Sequence, residues 1–139
     1  MTNRLLAVAL LFAAMANAAD PSAAPPIESA EAAAVEISKG KLCTAVADKE
    51  PANPKDSGAE YEAGVERVYF WNFANVAHPP ATVKHVWSHD GKPLAEVALE
   101  LRHSRTRTWS SKKVFPGAWK VETVSPEGIV LAVAEFSVK

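Results

Sequence analysis

The sequence contains a single cysteine, Cys43, among its 139 residues. A lone thiol cannot form an intramolecular disulfide, so no disulfide framework is expected within the chain. Two interpretations of Cys43 remain open. It is either a small buried residue of the first strand or the site of an intermolecular disulfide.

The chain also lacks an excess of charge of either sign. It has 15 Lys and Arg against 16 Asp and Glu, which gives a formal net charge of −1. This balance argues against nucleic acid as a partner. The exception is local, because residues 102–113 carry basic side chains and no acidic one. The basic residues there are Arg102, Arg105, Arg107, Lys112 and Lys113.

Long apolar runs are absent except near the start, where residues 5–16 carry no charge. Arg4 precedes this run and Ala16-Asn17-Ala18 follows it, which is the pattern of a signal peptide and its cleavage site. The run is shorter than the about 20 residues that a membrane span needs. We therefore predict a signal peptide over residues 1–18, cleavage after Ala18, and a periplasmic or secreted protein. The mature chain is expected to have no membrane span.

Residues 19–35 consist mostly of Ala, Pro, Ser and Glu, with almost no large hydrophobic side chain. Such a composition buries too little apolar surface to offset the entropy of ordering, so we predict a flexible linker. The remaining residues, 36–139, are enough for one hydrophobic core and one domain.

From residue 35 onward, apolar and polar side chains alternate with a period of two, which is typical of half-buried strands. Turn residues separate most of these segments. Several short strands at this spacing predict an all-β fold, specifically an antiparallel immunoglobulin-like sandwich of about seven strands. The predicted strands are 35–46, 64–73, 82–89, 94–102, 106–113, 117–124 and 129–138.

The register of the central hairpin follows from the alternation. His85 and Trp87 share one face of their strand, and Ala95 and Val97 share one face of the next. Pairing like faces predicts His85 opposite Val97 and Trp87 opposite Ala95. The simplest connection with this parity is the three-residue loop 90–92. His85 should therefore point into the core.

Several segments together resemble the bacterial family called domain of unknown function 2914. They are His85-Val86-Trp87, Asp90-Gly91, the run from Arg107 to Lys112, Pro116-Gly117-Ala118-Trp119, and Asp48-Lys49-Glu50-Pro51. Their order and spacing match over roughly the last hundred residues, although Lys49 stands where the family is expected to have Arg. The resemblance implies an exported or membrane-linked β domain, and it implies no activity because none is established for the family.

The histidines and acidic residues do not form a recognisable catalytic or metal site. His85 and His89 lie four residues apart in a predicted strand, about 13 Å, whereas metal ligands must lie about 2 Å from one ion. A packed, hydrogen-bonded His85 is the expected state. Asp48 is expected to close a turn, and Glu50 to pair with a nearby base. We therefore predict no enzyme activity, no cofactor and no metal.

The strand around residues 105–113 has no apolar face. Arg105, Arg107, Trp109 and Ser111 alternate on one side, and Lys112 belongs to the other. One explanation is an edge strand protected by charge against pairing with other chains. The other is a ligand surface, with Trp109 as a stacking plate and Arg107 as an anion clamp. These five residues are the candidate ligand-binding set.

The strand around residues 64–73 offers a second candidate surface. Tyr69, Trp71 and Phe73 share one face, opposite the face of Val68 and Phe70. A sandwich buries only one face of a strand, so the aromatic face is either a sugar-stacking platform or is covered by another segment. Secondary candidate ligand residues are therefore Tyr69 and Trp71, with His85.

Because the predicted exported domain has no recognisable set of catalytic residues, our first hypothesis is that it is a non-catalytic module. Its ligand would be a glycan, an anionic polymer of the cell envelope, or a protein, bound through the basic and aromatic strand. The alternative is a structural or assembly subunit of an envelope complex that acts through protein–protein contacts.

Overall fold

The computed structural model of the protein describes residues 34–139. The predicted signal peptide and all but the last two residues of the predicted linker lie outside the described residues. Val35, the last residue of that linker, is buried and begins the first strand. No helix that is long and apolar enough to cross a membrane occurs in this part of the chain.

Residues 34–139 form an all-β structure, as the alternating pattern predicts. Seven strands have eight to ten residues each, and three are much shorter. The strands are β1 (Val35–Cys43), β2 (Val46–Ala47), β3 (Glu50–Pro51), β4 (Ala59–Tyr61), β5 (Arg67–Val76), β6 (Ala81–His89), β7 (Lys92–Leu101), β8 (Arg105–Lys113), β9 (Gly117–Val124) and β10 (Val130–Val138).

The long strands form two sheets with the connectivity of an immunoglobulin-like sandwich. One sheet has the order β1-β5-β8, and the other has the order β4-β10-β9-β6-β7. In the usual lettering these are A-B-E and G-F-C-C′, with β4 added beside β10. All pairs in the two sheets are antiparallel except β4 with β10, which pairs in parallel over Phe136–Val138.

The inner faces of the two sheets supply the hydrophobic core. Trp87, Trp119 and Phe136 of the larger sheet pack against one another and against Phe70 of the smaller one. Trp119 and Phe136 are stacked, with ring centroids 6.0 Å apart. A second apolar cluster, which includes Val83 and Leu101, fills the other end of the sandwich. The two clusters explain why one face is apolar in each strand that contributes to them.

The central hairpin confirms the predicted pairing of His85 with Val97 and of Trp87 with Ala95. Its loop differs from the prediction. Ser88 pairs with Pro93 and His89 with Lys92, so the register shifts by one residue at Leu94. The loop is therefore the two-residue turn Asp90-Gly91, whose φ angles of 48° and 84° are those of a type I′ turn. A β-bulge, rather than a longer loop, supplies the odd residue.

A small hairpin lies across the outer face of the β1-β5-β8 sheet. Its two strands, β2 and β3, pair Val46 with Pro51 and Ala47 with Glu50. We call residues 46–51 the arm. The arm covers Trp71, which is only 3% exposed although it lies on the outer side of β5. The aromatic face of β5 is thus covered in part by a neighbouring segment.

Candidate functional site

Strand β8 forms the edge of the three-stranded sheet, beside β5. Its odd-numbered residues face outward, in register with the aromatic face of β5. Trp109 lies opposite Trp71, and Arg107 lies opposite Phe73. Its even-numbered residues face the interior of the sandwich although they are polar. Among them, Ser110 is buried and forms hydrogen bonds with core side chains. The two faces of β8 are therefore polar for different reasons. The outward face belongs to an edge strand, and the inward face makes a buried polar contact.

An open groove of about 480 Å³ runs along the outward face of β8. Among residues 34–139, those that line the groove include no aspartate or glutamate. The lining combines basic, aromatic and hydroxyl side chains: Lys49, Phe73, His103, Arg105, Thr106, Arg107 and Trp109. Such a groove offers cationic contacts for an anion beside two flat apolar rings.

The aromatic residues of the groove are held in place by their neighbours. Trp71, beneath the arm, donates its indole N–H to the backbone oxygen of Lys49 at 2.9 Å. The guanidinium of Arg105 lies 5.6 Å from the ring centroid of Phe73, within cation–π distance. The half-buried Trp109 faces the groove beside them. Phe73 and Trp109 thus form the aromatic part of the groove, and Trp71 lies beside them beneath the arm.

Arg107 also forms an ion pair with the arm. Its Nε lies 2.7 Å from a carboxylate oxygen of Glu50, and both side chains remain about half exposed. This confirms that Glu50 pairs with a nearby base. The pair joins β8 to the arm.

The tip of the arm holds Lys49 in the groove through an unusual backbone conformation. Asp48 and Lys49 both have positive φ angles, 54° and 66°. This is a type I′ turn, which normally takes Asn-Gly or Asp-Gly because a β-carbon is disfavoured there. A strained turn retained beside a groove points to a role for the residue it presents.

Replacing Lys49 with Gly is expected to raise the free energy of unfolding by about 0.5–1 kcal/mol, because glycine relieves the left-handed strain. Chemical denaturation of both proteins measures this change. Thr44→Gly, on an exposed residue between β1 and β2 with ordinary φ, is the matched control and should destabilise. A loss of stability in Lys49→Gly equal to that in Thr44→Gly would show that the turn is unstrained.

The remaining predicted site residues lie outside this groove. Ser111 faces outward but accepts a hydrogen bond from Arg67 at 2.8 Å. Lys112 points to the other side of β8, where its ammonium lies 5.8 Å from the ring of Trp119. Tyr69 is half-buried opposite Ser111. The structure therefore brings together Arg105, Arg107 and Trp109, and it separates them from these three.

His85 lies in the centre of the sandwich, where a polar cluster separates the two apolar ones. Its Nδ1 is 2.5 Å from Ser110 Oγ, and its Nε2 is 2.9 Å from Asn72 Oδ1. Trp87 donates its indole N–H to the same Ser110 oxygen, and Thr123 donates its hydroxyl to the same Asn72 oxygen. The Asn72 oxygen can only accept, so the proton of His85 is on Nε2. Ser110, whose oxygen accepts from Trp87, donates its own hydroxyl proton to Nδ1.

Burial lowers the pKa of His85 to about 3, because the charged imidazolium would lose its hydration. Its neighbours are neutral, since Asn72 and Ser110 form the hydrogen bonds and the ring of Phe70 packs 5.1 Å away. A neutral, fully buried imidazole with both nitrogens satisfied is a structural element that links β6 to two strands of the opposite sheet, β5 and β8.

The groove contains residues that the sequence did not single out as ligand-binding. Lys49 and His103 come from connections between strands, and Glu50 had been assigned only a structural pairing. None of these carries a local pattern that marks a site. Within residues 34–139, no three His, Cys, Asp or Glu side chains lie close enough together to hold a metal ion.

Comparison with known families supports the resemblance noted in the sequence. Residues 80–138 match the family described as protein of unknown function (DUF2914). The match includes the segments around His85, Asp90, Trp109 and Trp119, and it leaves the arm outside. A comparison with curated proteins finds no match to the chain. The family is thus confirmed for residues 80–138, which contain β8 and most of the groove.

Proposed function

We propose that this protein, whose residues 80–138 belong to the DUF2914 family, is an exported, non-catalytic module that binds an anionic polymer of the cell envelope. The binding site is the groove along β8, and an acidic glycan is the ligand that fits its chemistry best. The observation that carries this proposal is the lining of the groove, in which basic side chains stand beside aromatic rings.

The charges of the groove suit an oxyanion. Arg105 and Arg107 lie on one face of β8, two residues apart, so their guanidinium groups start from backbone positions separated by about 6.6 Å. Lys49 and His103 add donors from two other segments. Guanidinium groups bind carboxylate or sulfate through charge-assisted hydrogen bonds, and spaced cations favour a ligand with repeated negative charges.

The rings of the groove suit a sugar. Trp109 and Phe73 lie against the same space as the basic side chains. Their flat faces offer apolar contact to the C–H side of a pyranose, while the charges contact its acidic substituents. The open shape of the groove admits a chain that continues beyond it, unlike an enclosed pocket for a small molecule.

The edge position of β8 favours assembly as a second candidate function. β8 is the last strand of its sheet among the described residues, so its outer backbone groups are available to another strand. Self-association or co-purification of a protein partner, unaffected by added acidic polysaccharide, would support this function.

Binding of polygalacturonate and dextran sulfate, with neutral dextran for comparison, tests the proposed function. Arg105→Ala/Arg107→Ala should weaken binding about tenfold, since each partly exposed charge contact contributes on the order of 0.5–1 kcal/mol. Trp109→Ala should also weaken it, through loss of ring contact. Isothermal titration calorimetry in low salt gives the dissociation constants, and thermal melting checks that each variant is folded.

The matched control is Arg102→Ala. Arg102 is exposed, follows β7 and pairs with Glu100, outside the groove. Its loss changes the net charge of the protein by one unit and should leave the affinity nearly unchanged. If the folded double variant binds the acidic polymers as tightly as the parent protein, the groove is not the binding site.

A further inference from the structure

An anionic group supplied by the protein itself lies beside the groove, on Arg107. The carboxylate of Glu50 lies 2.7 Å from Arg107 Nε, although Glu50 belongs to the arm and Arg107 to β8, 57 positions later in the chain. A carboxylate on this guanidinium occupies the contact that an acidic ligand would use. In the free protein, Arg107 is therefore already paired.

The arm is fastened more firmly at its base than at its tip. At the base, Leu42 and Lys55 exchange two backbone hydrogen bonds of 2.8 and 2.7 Å, and Ala52 donates to Ala45 at 2.9 Å. At the tip, side-chain contacts predominate, namely the Trp71 bond to Lys49 and the Glu50 pair with Arg107. The tip therefore contacts β5 and β8 through these two interactions, whereas the base is attached to β1 by backbone hydrogen bonds.

The backbone of the arm is also unfavourable locally. Three of the four non-glycine residues with positive φ in residues 34–139 are Asp48, Lys49 and Asn53, all within or next to the arm. Left-handed backbone at non-glycine residues is retained where tertiary contacts hold it. Here those contacts include the pairing of β2 with β3 as well as the two contacts at the tip.

We infer that Glu50 is an intramolecular competitor of the ligand: its carboxylate occupies Arg107 in the free protein, and an oxyanion group of the bound polymer replaces it. This inference rests on the proposed function of the groove. When the polymer binds, one exposed anionic group on Arg107 replaces another, so the energetic barrier to binding of the polymer is small. The arm thereby sets the affinity of the site and favours ligands that carry several negative charges over single anions.

Glu50→Gln tests the inference because it removes the competing charge and keeps the size of the side chain. Its affinity for polygalacturonate, as the carboxylate probe, or dextran sulfate, as the sulfate probe, should be about two- to fivefold higher than that of the parent protein, the range expected for loss of one exposed competing ion pair. The polymer that gains more identifies the oxyanion that the site prefers. Galacturonic acid monomer should gain at least as much as either polymer, because Glu50→Gln removes the competitor that favours ligands with several negative charges.

The matched control is Glu100→Gln, which breaks an Arg–Glu pair of 2.6 Å with Arg102 outside the groove. Glu100→Gln changes the net charge by the same one unit as Glu50→Gln. A general electrostatic effect would therefore raise the affinities of the two variants for the polymer equally. Equal gains in the two variants, or no gain in Glu50→Gln, would overturn the inference while leaving the proposed function intact. If neither the parent protein nor Glu50→Gln binds an acidic polymer, both proposals fall.

Discussion

Lowering the pH from 7.5 to 4.5 should reduce the free energy of unfolding by about 2.5 kcal/mol through His85 alone. In the unfolded chain, His85 takes up a proton near its ordinary pKa of 6.5, whereas the folded protein keeps the ring neutral down to a pKa of about 3. The unfolded state therefore binds the extra proton throughout this window. Stability is fully present above pH 6.5 and declines as the pH falls towards 3.

The reason lies in the polar cluster of the core. His85 receives the Ser110 proton on Nδ1 and donates from Nε2 to Asn72. Protonation of Nδ1 would turn that acceptor into a donor facing the Ser110 oxygen, which already accepts from Trp87. It would also place an unpaired charge between the two sheets, at a cost of several kcal/mol.

Urea denaturation at a series of pH values measures this effect, and His85→Gln removes the titrating ring. This variant should be less stable at neutral pH, because the cluster loses hydrogen bonds, but its stability should depend less on pH below 6.5. His78→Gln is the control for the loss of a histidine, since His78 is exposed and lies outside the polar cluster. If the free energies of unfolding of the parent protein and His85→Gln fall in parallel as the pH is lowered, carboxyl groups alone cause the acid sensitivity.

Gly117→Ala should destabilise the protein by about 2–4 kcal/mol, from steric overlap together with backbone strain. Gly117 begins β9 with a φ of 137°, where an L-residue is disfavoured. A β-carbon there would overlap Nε2 of His89. The imidazole cannot move easily, because it bonds the Pro116 oxygen at 2.9 Å and packs between the rings of Phe115 and Trp119.

Two further variants separate the causes. Gly128→Ala has a similar backbone, with φ of 89°, but nothing within 4 Å of the added carbon, so it should show the strain alone, about 1–2 kcal/mol. His89→Ala in combination with Gly117→Ala should recover the steric part of the loss. Thermal and urea unfolding of the parent protein, Gly117→Ala, His89→Ala and the double variant give the cycle. If the double variant recovers nothing, the overlap with His89 is not the cause.

Local pattern was sufficient for the seven long strands and for which of their side chains share a face. A period of two puts His85 and Trp87 on one face of their strand and predicts that this face is the inner one, whereas it left open whether Trp71 and Trp109 face outward. The same parity predicts the pairing of His85 with Val97. The predicted three-residue loop was wrong. The alternation requires one extra residue in the hairpin, and a bulge at Leu94 supplies it as well as a longer loop does. Alternation alone does not distinguish the two.

The candidate site was only partly predictable, for the same physical reason. Arg105, Arg107 and Trp109 share a face because they alternate along one strand, which is a local property. Lys112 was grouped with them by proximity in sequence, yet the alternation of β8 sends it to the other side. Ser111 shares their face but bonds Arg67, a contact set by the pairing of β8 with β5.

The sequence by itself therefore determined an all-β domain, its strand faces and a basic, aromatic strand, because each depends on residues that are neighbours in the chain. Only the tertiary structure decided that β8 is an edge strand, that the arm crosses it, and that Glu50 lies on Arg107. It likewise decided that His85 meets Asn72, Ser110 and Thr123 in one polar cluster. These contacts join residues from separate strands and connections, whose proximity is set by sheet order and not by any local pattern.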